Sequence, residues 1–141
     1  MAVTRADAIS QTRKKIETYS DFTNNFVKHP ITNELVVLKN EDSIRQAFKN
    51  LILTNIDERL FNPLFGSNVN RSLFEPFGPF LVEDITRYIN VAASQFESRI
   101  QVLNITITDQ TDKNGIAINV VFSIINNPEP ISLNLFVKRV R

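Results

Sequence analysis

The sequence predicts an α+β fold: two amphipathic helices packed on a three-stranded antiparallel meander, with an extended N-terminal arm. Two segments with the apolar spacing of helices come first, and segments with alternating apolar residues follow them. At 141 residues the chain fits one domain. We divide this domain into an arm (1–39), a helical part with a long loop (40–96) and the meander (97–141).

The arm has no sustained helical or strand period. It combines a basic stretch at residues 12–15 with large rings at Phe22 and Phe26. We therefore expect an extended arm with aromatic anchors that ends in a short strand at residues 35–38.

Two helices are predicted by their apolar stripes. The first spans about residues 41–54 and follows Asn40, a residue type that caps helices. Its first turn is acidic, as the helix dipole favours. The second runs from Pro79 to about residue 96, since proline suits the first helical turn. The stripe of the first helix consists of Ile44, Ala47, Phe48, Leu51 and Ile52.

A long loop separates the two helices. Residues 54–79 contain three prolines and two glycines, so we expect at most one helical turn there. Several large rings lie in irregular segments, and either these segments fold back onto the core or another protein covers them. The rings are Phe22, Phe26, Phe61, Phe65, Phe74, Phe77 and Phe80.

The last third of the chain has the alternation of β-strands. The central strand alternates from Ile116 to Ile124 and is expected to be partly covered on both faces. A change of parity near residue 102 indicates a bulge in the preceding strand. Asn114-Gly115 is expected to supply a positive-φ turn. A third strand starts at Ile131 and continues almost to the end of the sequence.

Composition excludes several classes of function. The chain has no cysteine and one histidine, His29, so a thiolate nucleophile, a histidine-based triad and the usual zinc sites are excluded, and no cofactor is expected. A formal charge of +1 gives no field for nucleic acid. No apolar run approaches the ~18 residues of a membrane span. We expect a protein without metal, nucleic acid or membrane partners.

One enzymatic alternative is glycoside hydrolysis of peptidoglycan, which needs two carboxylates with one in an apolar pocket. Glu75 stands between aromatic residues, and Glu58 or Glu83 could partner it. Each acid also has a simpler interpretation, as a loop carboxylate, an ion-pair partner of Arg59 and a helix first-turn residue. We therefore assign no catalytic residue.

The sequence resembles the baseplate wedge and sheath-initiator family of contractile-tailed phages, which includes the T-even lysozyme-like wedge protein and a type VI secretion counterpart. The segment from Asn50 to Ser67 is similar to that family's helix end, its Gly-Glu-Arg turn and its Pro-x-x-Gly loop. Asp57 stands where the family has glycine. Glu97-Ser98-Arg99 is similar to the family's Glu-Pro-Arg signature, with serine in place of proline.

The resemblance implies a structural protein of the virion tail baseplate that is assembled in the host cytoplasm, in multiple copies within a sixfold baseplate. Its implied partners are other baseplate wedge proteins, contacted through Glu97, Ser98 and Arg99, and the tail sheath protein. The sheath would add strands to the terminal strand by β-augmentation. The residues implied in that contact are Ile131, Leu133, Asn134, Leu135, Val137, Lys138 and Arg139.

Overall fold

The α+β prediction is confirmed. The computed structural model describes residues 19–125 and 127–139, and the basic stretch at residues 12–15 lies outside them. The elements in chain order are β1 (Ser20–Phe22), β2 (Val37–Lys39), α1 (Glu41–Leu53), α2 (Val69–Ser72), α3 (Pro79–Phe96), β3 (Ile100–Gln110), β4 (Gly115–Ile124) and β5 (Asn127–Lys138).

The meander is a three-stranded antiparallel sheet in the order β3-β4-β5. The predicted bulge is present, because the β3–β4 register shifts between Val102 and Asn104. The isoleucine-rich face of β4 is buried, and its opposite face is mostly half-buried, as expected. The third strand begins at Asn127 rather than Ile131, since Asn127 still pairs with Ile124.

The helices bury their apolar stripes against one face of this sheet. Phe48 of α1 meets Phe122 of β4 edge to face, with ring centroids 5.4 Å apart, and both rings are fully buried. The core continues through Ile85 and Ile89 of α3. Full burial of one large apolar side chain stabilises the folded state by about 1.5–3 kcal/mol. The packing of the two helices on the sheet therefore fixes the positions of the helix ends and of the neighbouring strand edges.

The described part of the arm folds back on itself instead of running straight. β1 pairs antiparallel with β2, and a second bridge joins Lys28 to Leu35. The observed strand lies at Val37–Lys39 rather than at 35–38, because β1 pairs there. Phe22 and Phe26 are more than half exposed, so they do not anchor the described arm to this chain's core.

Asn40 precedes α1 but does not cap it with its side chain. The Asn40 Oδ1 atom accepts a hydrogen bond from the Tyr19 N–H at 3.3 Å, and the Asn40 N–H donates to the Tyr19 carbonyl at 2.7 Å. The prediction that Asn40 caps α1 is therefore wrong, because its side chain binds Tyr19 instead. The side chain ties the arm to the start of α1.

The β3–β4 connection also differs from the prediction. A 3-10 turn (Thr111–Lys113) leads to Asn114, which has the expected positive φ of 52°. Gly115 does not share that conformation and instead begins β4. A Cβ atom at Gly115 would stand 2.6 Å from the Val137 carbonyl oxygen, so glycine is required there by close packing.

The long loop contains the single short helix α2, as expected, and it is shaped by two positive-φ residues. Asp57 has φ 73°, and its N–H donates to the Pro63 carbonyl at 2.8 Å. Aspartate is among the few residues other than glycine that tolerate this region. The turn therefore forms with Asp57 where the resembling family has glycine. The second residue, Gly66, has φ 127° and is buried against the end of α1.

Candidate protein-binding site

The predicted contact residues Glu97 and Arg99 bind each other at the corner between α3 and β3. The Arg99 Nε and Nη2 atoms donate to the two Glu97 carboxylate oxygens at 2.5 and 2.6 Å. The Glu97 side chain is only 7% exposed, whereas that of Arg99 is 33% exposed. Such a bidentate pair is geometrically specific. Ser98 stands exposed between them.

The corner is further held by the backbone and by the arm. The Ile125 N–H donates to the Arg99 carbonyl at 3.0 Å, which joins the start of β3 to the end of β4. The Arg99 guanidinium lies 5.2 Å from the centroid of the Tyr19 ring, a cation–π distance. Arg99 thus connects helix, sheet and arm at one point.

The hydrogen bond to Glu97 raises the pKa of Arg99 above its ordinary value, with Coulomb attraction from Glu97 acting in the same direction and burial opposing both. A raised pKa in the folded state means that the stabilisation is fully present below the unfolded pKa and is lost only as pH rises through the folded value. For a guanidinium, both values lie far above neutrality. Deprotonation of Arg99 therefore does not weaken this pair near neutral pH.

The second predicted surface is β5, whose side chains alternate as expected. Leu133 and Leu135 face the core, while Asn134 points to the other side and is exposed. The remaining inward residues among the predicted contacts are Ile131 and Val137, and Lys138 is exposed. Since the apolar members of the predicted set form the core, a partner can meet the strand's backbone, its polar side chains and the half-exposed ring of Phe136.

β5 is an edge strand of the described sheet, and its outward amides can be assigned. The Arg139 N–H donates to the Asn114 carbonyl at 2.8 Å, and the β4–β5 register runs unshifted from Lys138 to Ile131. Amide direction alternates in an antiparallel ladder. The odd-numbered residues of β5 from Ile131 to Val137, like Arg139, therefore form backbone hydrogen bonds to β4. The N–H and C=O groups of the even-numbered residues point away from the sheet. These outward residues are Ser132, Asn134, Phe136 and Lys138.

The aromatic residues of the long loop remain largely uncovered by the described chain. Phe61 is fully exposed, and Phe74 is 75% exposed. Phe80, which the structure places in the first turn of α3 rather than in the loop, is 84% exposed. Phe65 is the exception, because its ring meets that of Phe96 at 5.2 Å and lies under the guanidinium of Arg59. Exposed rings of this size are typical of surfaces that another protein covers.

The three carboxylates of the glycosidase alternative lie at the surface of the protein. Glu58, Glu75 and Glu83 are all exposed, so none occupies the apolar pocket that a general acid needs. The Glu58 carboxylate accepts a hydrogen bond from the Asn55 N–H at 2.7 Å and so closes the loop turn. Arg59, its expected ion-pair partner, stacks on Phe65 instead.

The described residues contain neither a metal-binding cluster nor a membrane-spanning helix. Within residues 19–125 and 127–139, no group of three or more acidic or histidine side chains is arranged to hold a metal ion. No helix in the same part of the chain is long and apolar enough to cross a membrane.

One set of polar residues escaped the sequence reasoning. Asp42, Arg45, Gln46 and Lys49 follow one another at helical spacing on α1 and line a groove beside β5. In the sequence this stripe looks like any solvated helix face. Only the position of α1 relative to the strand edge gives it a neighbour.

Comparison with known proteins places this geometry in a family. A family model described as baseplate wedge protein gp25 matches residues 39–129. The baseplate wedge protein gp25 of Enterobacteria phage T4 is 30% identical over 89 residues, which cover 63% of this chain and 67% of the T4 protein.

Three solved structures share the fold. A candidate tail lysozyme from Geobacter sulfurreducens has a TM-score of 0.69 at 18% identity, covering 75% of this chain and 97% of that one. A chain of the sixfold-symmetrised anti-feeding prophage baseplate has a TM-score of 0.60 at 13% identity, with 87% of each chain covered. A chain of the postcontracted pyocin R2 baseplate has a TM-score of 0.50 at 12% identity, covering 79% and 97%.

The matched segment contains α1, the long loop, α3, the Glu97–Arg99 corner, β3 and β4, which together are most of the described fold. The family resemblance inferred from the loop and corner residues is thereby confirmed. This chain belongs to the baseplate wedge protein gp25 family and is a structural component of a phage tail baseplate.

Proposed function

We propose that this chain joins neighbouring wedge proteins at its α3–β3 corner and starts the first ring of tail sheath on the outer edge of β5. The observation that carries the sheath part is the row of outward amides on β5, which no other described strand pairs. An unpaired edge is a ready site for strand addition, because backbone hydrogen bonds supply affinity and alternating side chains set the register.

The corner is proposed as the wedge contact because its exposed part is rigidly held. The buried Glu97 carboxylate holds the Arg99 side chain, which is one-third exposed. The hydrogen bond from Ile125 to the Arg99 carbonyl holds the backbone beside Ser98. The exposed rings of the long loop supply further area for wedge neighbours. The anti-feeding prophage relative comes from a sixfold baseplate, and we propose the same arrangement for this chain.

The sheath role is tested by Asn134→Pro. The Asn134 N–H points away from β4, so proline removes a group that an added strand would use and leaves the β4–β5 ladder intact. We expect a folded protein that enters baseplates on which sheath polymerisation fails while tube growth continues. Electron microscopy of baseplates supplied with tube and sheath subunits measures both.

Two control variants make this result specific. Asp109→Pro alters an exposed residue near the end of β3, the opposite edge of the sheet, and should leave sheath initiation normal. Leu135→Pro removes a ladder bond to β4 and a buried side chain, so it should fail in thermal unfolding before assembly is tested. Normal sheath growth on a stably folded Asn134→Pro baseplate would place initiation elsewhere.

We further propose that the chain has no hydrolase activity, because each of its candidate carboxylates is exposed to solvent. Highly purified protein should release no more soluble fragments from peptidoglycan than a buffer control does. The variants Glu58→Gln and Glu75→Gln should behave like the parent protein. Turnover that either substitution abolishes would establish the glycosidase alternative instead.

A further inference from the structure

A groove of about 550 Å³ runs beside the outer edge of β5, between that strand, α1 and the arm. Its floor includes Ser132 and Asn134, two of the residues whose amides point outward. An added strand at this edge would therefore lie in the groove. Its side chains on the helical face of the sheet would meet the polar stripe of α1.

The groove is preformed, because hydrogen bonds fix the arm against α1. The Gln46 Nε2 atom donates to the Phe22 carbonyl at 2.6 Å, and the Asn24 N–H donates back to Gln46 Oε1 at 3.1 Å. The side chains of Asn24 and Asn50 exchange two hydrogen bonds at 2.7 and 3.0 Å. A partner entering the groove thus meets a surface whose ordering cost has already been met in folding.

The groove wall has unused donors and an excess of positive charge. Arg45 reaches Asp42 through Nη1 at 3.3 Å, but its Nε atom is buried and has no hydrogen-bond acceptor among the described residues. The Thr23 hydroxyl is in the same state. Lys49 is exposed and forms no ion pair within the described part of the chain. Two cations therefore face the groove with one carboxylate.

We propose that the groove binds an extended segment of the sheath subunit that carries an Asp or Glu side chain opposite Arg45 and Lys49. Backbone pairing along β5 supplies the strand contact, and the carboxylate selects the register, because a shift of one residue would turn it to the other face of the sheet. A carboxylate can also bind the accessible part of the Arg45 side chain, which is 42% exposed. This assignment rests on the proposed sheath role of β5.

Carbodiimide cross-linking tests the chemistry directly, because it joins an amine to a carboxylate only when the two are in contact. Assembled baseplates carrying the first sheath ring are treated, digested and analysed by mass spectrometry. We expect a peptide in which Lys49 is linked to an Asp or Glu of the sheath subunit. Lys113, exposed in the 3-10 turn, is the internal control and should stay unlinked to sheath.

Charge variants measure the contribution to binding. Arg45→Gln with Lys49→Gln should weaken sheath addition about 5- to 30-fold and flatten its dependence on salt, as expected for two surface ion pairs. Arg71→Gln with Lys113→Gln removes the same charge from exposed sites outside the groove and should change neither quantity. Exchanging the cross-linked sheath acid for lysine should restore binding to a Lys49→Glu variant.

The possible outcomes distinguish the proposed acidic contact in the groove from the proposed sheath role of β5. If Asn134→Pro blocks sheath initiation while the Arg45 and Lys49 variants initiate normally, β5 is the template and the acidic selector is wrong. If Asn134→Pro initiates normally, the sheath role itself fails. Absence of any Lys49 cross-link in baseplates that hold sheath would also overturn the proposal.

Discussion

Arg99→Ala is expected to lower the free energy of unfolding by about 3–4 kcal/mol, because it leaves the Glu97 carboxylate buried without its partner. The lost cation–π contact with Tyr19 adds to that cost. For a chain of this size the midpoint of thermal unfolding should fall by roughly 10 °C. Urea and thermal unfolding measure both quantities.

The opposite single substitution should cost less. Glu97→Ala leaves a guanidinium that is one-third exposed and can bind water, so about 1–2 kcal/mol is expected. The double variant should cost less than the sum of the two single variants, because no charge is then buried alone. Additive costs would contradict the buried pair as the source of stability.

The same double variant also tests the wedge contact. It should fold but fail to join neighbouring wedge proteins, since the exposed part of Arg99 and the shape of the corner are both lost. Asp84→Ala with Arg87→Ala is the matched control, because it removes an ion pair of the same charges on the surface of α3. Wedge assembly by the folded Glu97→Ala, Arg99→Ala variant would show that neighbours contact another surface.

Gly66→Ala is expected to cost about 3 kcal/mol or more. A Cβ atom there would stand 2.5 Å from the Thr54 carbonyl oxygen, which is backbone and cannot turn aside. The φ of 127° adds conformational strain for any residue with a side chain. The displaced carbonyl already accepts a hydrogen bond from the Ser67 N–H at 2.8 Å, so the end of α1 should loosen with it.

Asp57→Gly, in the same loop, is the contrasting variant. It relieves a non-glycine residue at φ 73° and should change stability by no more than about 1 kcal/mol, in the stabilising direction. If the two substitutions changed the free energy of unfolding by equal amounts in opposite directions, backbone conformation rather than contact with α1 would control this loop. Hydrogen exchange at the end of α1 distinguishes the two explanations.

Periodicity sufficed for the helices and the meander because their apolar residues repeat at 3.6 or 2 positions. The stripe from Ile44 to Ile52 and the alternation from Ile116 to Ile124 each have one solution that buries them. The predicted helix bounds agree with α1 and α3 to within a residue. The arm escaped this reasoning, because β1 and β2 are three residues long and depend on pairing with each other.

The chain of residues by itself determined the fold class, the strand parity of β5 and the family, since all three depend on local patterns and short motifs. Only the tertiary structure decided that Glu97 is buried against Arg99, that Gly115 serves close packing and that the polar stripe of α1 faces a strand edge. Burial, approach distance and neighbourhood are relations between segments far apart in sequence. No local pattern of residues encodes them, because each depends on how separate elements pack together.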